Sequence, residues 1–502
     1  MPTLHLSSYI SSLDHAIKQH DGRSIASALS LADKHVPLLL DFLDRPDRGP
    51  ARIDRTLDTP HPSYASQFAR TLGKQSPWSD MATHHVWTLV ALQPPVDPVT
   101  GQLRSVPDAI IAYAKQHEVV NTLYRYLMDS REASTGWALP VLYAVCRDLR
   151  KVAEQADQQL AARGQKTGKL EDASRLLQKC FSCCLNDRAS DITTSRKMGT
   201  YYLATLLFKT YFKLNSTALC KNIIRGIGAA DLPPLSSFPR AHQVTYTFYM
   251  GVFAFLREDY DEAEKKFTEA LGMTHVKMKR NIECVAAPFP AANEGELTRS
   301  HSLRLINDYL IPLLLLRGVL PSQKLLLRSA RHKALYGPFA QAVKDGNVNA
   351  YDRQLQTAEK RLMERGTYLV VERAREAAVR GCLKKAWILE QKPARMPIET
   401  FRRYYNAAAH VGLAEDDEAR KMELDSEEME CLLANCIYKG LVKGYISHAH
   451  GLVVLSKERP FPWYQPYRPL GPKEAAAREQ KEADERKRVP TLPSVPGEAA
   501  PV

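Results

Sequence analysis

The sequence predicts a mainly α protein, a tetratricopeptide-like helical solenoid that runs into a winged-helix module with a small β-hairpin. Three observations carry that expectation. Amphipathic patterns with apolar residues at i, i+3, i+4 and i+7 follow one another along most of the chain, and hardly a convincing period-two stretch comes before residue 440. One pair, "TFYMGVFAFLREDYDEAEKKFTEAL", sets Gly251, Ala263, Phe267 and Ala270 at the small, small, aromatic and small positions of a tetratricopeptide repeat. In "MECLLANCIYKGLVKGYISHAHGLVVLSK", from Met429 to Lys457, the hydrophobic period changes from helical to alternating halfway along.

The first part of the chain reads as helix after helix. Patterns run through "LYRYLMDSREASTGWALPVLYAVCRDLRKVAEQADQQLAA", "SRLLQKCFSCCLN" and "GTYYLATLLFKTYFKLNSTALCKNIIRGI", and "RPDRGPAR", "LQPPVDPVTG" and "LPPLSS" break them. Small residues of the repeat-like pair let its helices approach, and Phe267 is expected to fill the groove toward the next pair. The flanking repeats at "KLNSTALCKNII" and "KDGNVNAYDRQL" share only the helix, polar corner, helix layout.

The C-terminal module assembles piece by piece. A long helix is expected over Val371–Gln391, and two prolines in "KPARMP" then leave room for a short edge strand. A second helix starts after Pro397 with Ile398, Phe401, Tyr405 and Ala408 on one face and Arg402 and Arg403 toward its edge. Asp425 and Glu428 form a capping-box-like start for a third helix whose stripe is Met429, Leu432, Leu433, Cys436 and Ile437. Gly440 stops it. The runs "YISHA" and "LVVLS", turning at His450 and Gly451, close the unit as a hairpin and leave the third helix presentable to a groove.

Composition bounds the class. The 502 residues admit several domains, and 44% apolar residues suffice for sizeable cores. No run approaches the length a membrane span needs, and the start "MPTLHLSSYISSLDHAIKQH" has neither a basic n-region nor a long apolar one. Nine cysteines without regular spacing fit a reducing compartment, cytosol or nucleus. A net charge of +13 favours a polyanion, either nucleic acid or an acidic protein segment. Its distribution is uneven: Glu415 to Glu430 holds nine acidic residues against two basic, whereas Lys439, Lys443, Lys457, Arg459 and Arg468 follow against Glu458 alone.

A solenoid ending in a winged helix is the architecture of the PCI domain, the module shared by the proteasome lid, the signalosome and a translation initiation factor. The stretches "GTYYLATLLFKTYFKLN", "LINDYLIPLLLLRG", "GTYLVVERAR", "CLKKAWIL" and "ECLLANCIYKGLVKGYISHAHGLVVLSKERPFP" resemble one subfamily more closely. It contains the mRNA-export PCI subunit of the second transcription-export complex, the signalosome subunit-twelve-like proteins and the PCI domain-containing protein two type, and the likeness covers about residues 195–463. Between His275 and His301 the chain is longer than the family's usual connection, and the first 195 residues resemble the family only loosely. The expected division is 1–195 N-terminal helical repeats, 196–365 tetratricopeptide-like part, 366–463 winged helix and 464–502 disordered tail.

The resemblance implies a non-catalytic scaffold with no cofactor, found in nucleus and cytoplasm. It implies two protein partners, a larger PCI-containing scaffold and a small acidic disordered subunit that Lys384 and Lys385 would meet. His448 and His450 form an H-x-H, but Phe461 stands where the signalosome's metal-dependent isopeptidase supplies an aspartate, so packing or surface roles are favoured over zinc. Cys180 to Cys184, "CFSCC", lie on a leucine-rich face without a second pair at zinc spacing. The chain contains no phosphate-binding loop of the G-x-x-x-x-G-K-[ST] type, no G-x-S-x-G and no H-E-x-x-H. Two readings of the basic module stay open. In one, Asn435, Lys439, Lys443 and Lys457, extended by Arg402 and Arg403, contact the phosphates of RNA or DNA. In the other these are solvated charges, and the module packs against another PCI protein.

Overall fold

A computed structural model describes residues 6–33, 35–37, 39, 62–73, 77–92, 107–129, 135–189, 191, 194–274, 301–327, 329–411, 423–462 and 466–467. The described chain forms two compact units that divide after Met250, inside a helix, at a place the hydrophobic pattern does not mark. The first unit begins with α1 (Leu6–Lys18), α2 (Gly22–Ala28), α3 (Pro62–Leu72), α4 (Pro77–Leu92) and α5 (Ala109–Asp129). It continues with α6 (Leu139–Ala162), α7 (Lys169–Leu185), α8 (Thr200–Lys213) and α9 (Cys220–Ala229), and α10 (Arg240–Leu256) spans the division. Neighbours in sequence pack on one another from α4 through α8, as a solenoid requires. The turn into α7 is held by Asp157, whose carboxylate accepts the N–H groups of Gly168, Lys169 and Leu170 at 2.9, 2.8 and 2.9 Å.

The second unit continues with α11 (Tyr260–Met273), α12 (His301–Leu316), α13 (Gln323–Leu327), α14 (Ala330–Asp345), α15 (Val348–Met363), α16 (Tyr368–Arg373) and α17 (Arg375–Leu389). The repeat-like pair forms as expected. Ala263, Phe267 and Ala270 are fully buried, a Cβ on Gly251 would lie 2.9 Å from the Phe267 ring, and that ring stacks on Tyr309 of α12 at 5.3 Å. Phe267 therefore does fill the groove toward the next helix.

The expected helix over Val371–Gln391 is two helices. Ala374, buried at their junction, has ψ −7° where an α-helix needs about −42°, so α17 starts on a new axis. This matters because α17 feeds two cores. Ala377 and Ala378 pack with Phe339, Val343 and Tyr351 of the repeats, whereas Val379, Cys382, Leu383 and Ala386 pack with the C-terminal module.

That module contains β2 (Arg395–Pro397), α18 (Ile398–His410), α19 (Ser426–Tyr438), β3 (Gly444–Ser447) and β4 (Leu452–Leu455). Its antiparallel sheet has the order β2-β4-β3. The row Met396, Val453, Ile446 faces the core and the row Arg395, Val454, Tyr445 faces outward, which is the period-two alternation of a half-buried sheet. Three helices and a two-stranded wing are therefore present. The turn begins earlier than expected: His448–His450 form a 3-10 turn, and Gly451 closes it at φ 59°.

One sequence expectation needs correction. A strand pair exists outside the module, β1 (Leu320–Pro321) parallel to β5 (Pro466–Tyr467), although hardly a period-two stretch was expected before residue 440. The residue before a proline is pushed to extended backbone, which explains Leu320. The segment 275–300, most of the acidic loop before Glu423 and the tail beyond Tyr467 lie outside the described residues. Among the described residues no helix is long and apolar enough to cross a membrane.

Helix α14 ends at Gly346 with φ 61°, and a Cβ there would lie 2.5 Å from the Cys382 backbone nitrogen. Gly346→Ala should therefore destabilise the protein, by more than the roughly 1–2 kcal/mol of the left-handed conformation alone. Gly272→Ala, in an open position late in α11, should instead stabilise by about 0.5–1 kcal/mol. Thermal melts of the two variants should move in opposite directions.

Candidate nucleic-acid interface

Helix α19 is started by Asp425, whose side chain accepts from the Glu428 N–H at 2.7 Å while the Glu428 carboxylate accepts from the Asp425 N–H at 3.1 Å. Met429, Leu433 and Cys436 are buried and Leu432 and Ile437 half-buried, so the helix shows Cys431, Ala434, Asn435 and Tyr438 to solvent. Burial pushes the Cys436 thiol up to about 12, which marks it as an inert core residue. Gly440, at φ 71°, ends the helix, and the Leu441 N–H returns to the Cys436 carbonyl at 2.9 Å.

The chain then enters the wing beside its exit. Lys443 donates its N–H to the Pro460 carbonyl at 2.6 Å and accepts from the Ser456 N–H at 2.9 Å. Lys443 and Lys457, both exposed, are thereby brought together at the open end of the hairpin. Buried Arg380 of α17 donates to the Leu441 carbonyl at 3.2 Å and also to the Pro462 carbonyl, pinning both strands of this base to the core. Trp387 packs against Phe461 at 5.6 Å behind it.

The six expected contact residues do not form one patch. Asn435 is exposed one turn before Lys439, and Lys439 is exposed but pairs with Glu376 of α17. Arg402 donates to both Glu399 oxygens, at 2.7 and 2.6 Å, and to the Leu424 carbonyl at 3.2 Å. The same Glu399 accepts from the Ser426 hydroxyl at 3.2 Å, so Arg402 stands at the N-terminal end of α19. Ser426 and Lys439 are separated by about 20 Å of helix. Arg402 and exposed Arg403 therefore do not extend the lysine patch. The N-terminal end of α19 also carries Glu427, Glu428 and Glu430, so the sign of charge reverses along one helix.

The partner-facing lysines differ as well. Lys384 is half-buried, whereas Lys385 donates to the Asp345 carbonyl at 2.6 Å and so satisfies the C-terminus of α14. At the wing tip His448 Nδ1 donates to Glu430 at 2.9 Å and His450 bonds the Ser447 hydroxyl at 3.0 Å. Among the described residues no group of histidine, cysteine and carboxylate side chains is placed to hold a metal, and Cys180, Cys183 and Cys184 are buried in α7. Sequence reasoning passed over Tyr438 and Tyr445, which are 89% and 63% exposed. The signal was present for Tyr438, which lies opposite the stripe through Met429, Leu433 and Cys436 on a helical wheel.

Helical repeats running into a winged helix define a PCI protein, and the family model described as "PCI domain" matches residues 356–457. Among curated relatives, the CSN12 homolog of Mycosarcoma maydis is 36% identical over 77% of this chain and 85% of its own. The CSN12 homolog of Schizosaccharomyces pombe and the PCI domain-containing protein 2 homolog of Drosophila melanogaster are each 30% identical, over 91% of this chain and 98% of theirs. The chain belongs to the family of CSN12 homologs and PCI domain-containing protein 2. Coverage of 91% extends well into the first 195 residues, where the likeness was expected to be only loose.

The Glu430 carboxylate raises the His448 pKa above its ordinary 6.5. A raised folded-state value means that the pair's contribution to stability is complete below the unfolded pKa and is lost as pH rises through the folded one. An NMR titration of His448 should have its midpoint above 6.5, and Glu430→Gln should return it toward that value; a wild-type midpoint at or below 6.5 contradicts the contact.

Proposed function

We propose that the protein is a non-catalytic PCI scaffold subunit of a nuclear multiprotein complex that couples transcription to mRNA export. It contacts RNA or DNA without sequence preference through the C-terminal end of α19 and the base of the wing. The observation that carries this reading is the convergence of Lys443 and Lys457 beside Lys439, on the family's winged helix, with Glu458 and the Lys439 partner Glu376 as the nearby acids in sequence and contact. Phosphate contacts of this kind give affinity without sequence information. A larger PCI-containing scaffold and a small acidic disordered subunit, met by Lys384 and Lys385, are the proposed protein partners. The protein acts in nucleus and cytoplasm.

A second reading, a purely protein–protein scaffold associated with a signalosome or a splicing assembly, has a specific observation in its favour. Lys439 and Arg402 are already neutralised by Glu376 and Glu399.

The two readings separate in a salt titration of oligonucleotide binding. Lys443→Gln and Lys457→Gln should each lower the slope of log affinity against log salt by about 0.7–0.9, the release expected for one phosphate contact. Lys439→Gln should lower it less, because its charge is held by Glu376. Charge reversal of all three should abolish most nucleic-acid binding and leave the fold intact. Unchanged oligonucleotide affinity together with lost assembly onto the larger PCI partner would establish the protein–protein reading instead.

A further inference from the structure

The side chains of Tyr438 and Tyr445 have no ring partner and no hydrogen bond among the described residues, and the two residues are 89% and 63% exposed. Tyrosine ordinarily buries its ring and wets only its hydroxyl. Tyr438 projects from the solvent side of the last turn of α19. Within seven residues the chain passes Gly440 and Lys443 and reaches Tyr445, second residue of β3. There Tyr445 lies in the outward row with Val454 and Arg395, and Arg395 is exposed. Along the chain the two tyrosines are thus interspersed with Lys439, Lys443 and Lys457. Aromatic faces set among flexible cations suit unpaired bases, because every base has a face to stack while the phosphates follow the lysines.

The other end of α19 bears on the form of the nucleic acid. A duplex that took this helix into its major groove would run phosphates along both flanks of the helix. Glu427, Glu428 and Glu430 would then meet them, with Glu423 and Asp425 just ahead. An A-form RNA duplex offers an even narrower groove. A single strand is not bound to the helix axis and can cross at the lysine end alone.

We propose that the winged helix binds single-stranded rather than double-stranded nucleic acid, with Tyr438 and Tyr445 each stacking on an unpaired base. This rests on the nucleic-acid reading above and specifies its ligand.

The test uses the full chain and fluorescence anisotropy, with a labelled 15-nucleotide oligouridylate and, at the same salt, RNA and DNA duplexes of equal length. The wild-type protein is expected to bind the single strand more tightly than either duplex. Tyr438→Ala and Tyr445→Ala should each weaken single-strand binding roughly 5- to 150-fold, the range for loss of one base–aromatic stack. Tyr→Trp at either position should preserve it, and Tyr→Leu, which keeps bulk but no π face, should behave like alanine. Both side chains are exposed, so thermal melts should be unchanged.

If the alanine variants bind like wild type while Lys443 and Lys457 reversals lose affinity, stacking is overturned and the nucleic-acid reading stands. Equal or tighter binding of a duplex also overturns the proposal. Absence of binding to all three probes overturns both. If the alanine variants keep RNA affinity and lose assembly with a PCI partner, the tyrosines are protein-interface anchors and the proposal fails.

Discussion

The structure of the C-terminal unit depends on a contact between two glycines. Gly346 closes α14 in the left-handed conformation, and Gly381 sits in the middle of α17 against it; a Cβ on Gly381 would lie 2.6 Å from the Val343 carbonyl oxygen and 3.2 Å from the Gly346 Cα. Backbone therefore meets backbone where the helical repeats join the winged helix. That approach brings Lys385 to the exposed carbonyl of Asp345 and lets α17 bury alanines on the repeat side and Val379, Cys382 and Leu383 on the other. One helix with small residues at its crossing serves two cores, and the wing inherits its position from that helix through Arg380.

One cluster of polar groups inside the repeats follows the rule that burial demands partners. The Asp308 carboxylate of α12 takes His332 of α14 at 2.8 Å and Arg365 at 3.1 Å, while the Tyr336 hydroxyl donates to the Asp308 carbonyl at 3.0 Å. His332 and Asp308 are each under 10% exposed, so this set ties separate repeats together and is closed to a ligand. The charges of α19 are arranged differently. Acidic residues at its start complement the positive end of the helix dipole, and Lys439 at its end complements the negative one. Part of the charge reversal along this helix thus serves the helix itself, and Lys443 and Lys457, outside it, are the cations for which helix stability offers no account.

Much of the module was legible because local signals agreed with tertiary demands. The capping box at Asp425 and Glu428, the stripe of Met429, Leu433 and Cys436, the stop at Gly440 and the alternation in the wing all formed as their patterns indicate. The same holds for Gly251 and Phe267, whose contact is encoded in a repeat signature. What failed was proximity. Arg402 was expected to extend the patch of Lys439, but the first folds back to Glu399 and Leu424 and the second reaches Glu376, a helix length apart.

The sequence by itself determined the helical class, the winged-helix order of elements and the sign of charge at each end of α19, because these depend on period, caps and composition along a few turns of chain. Only the tertiary structure decided which of those charges are free. One ion pair forms across 63 residues between Lys439 and Glu376, and the Lys385 hydrogen bond to Asp345 spans 40, separations at which no local pattern carries information. It also decided that two tyrosines remain bare: whether a ring is covered is settled by what packs over it, and that is a property of the assembled surface.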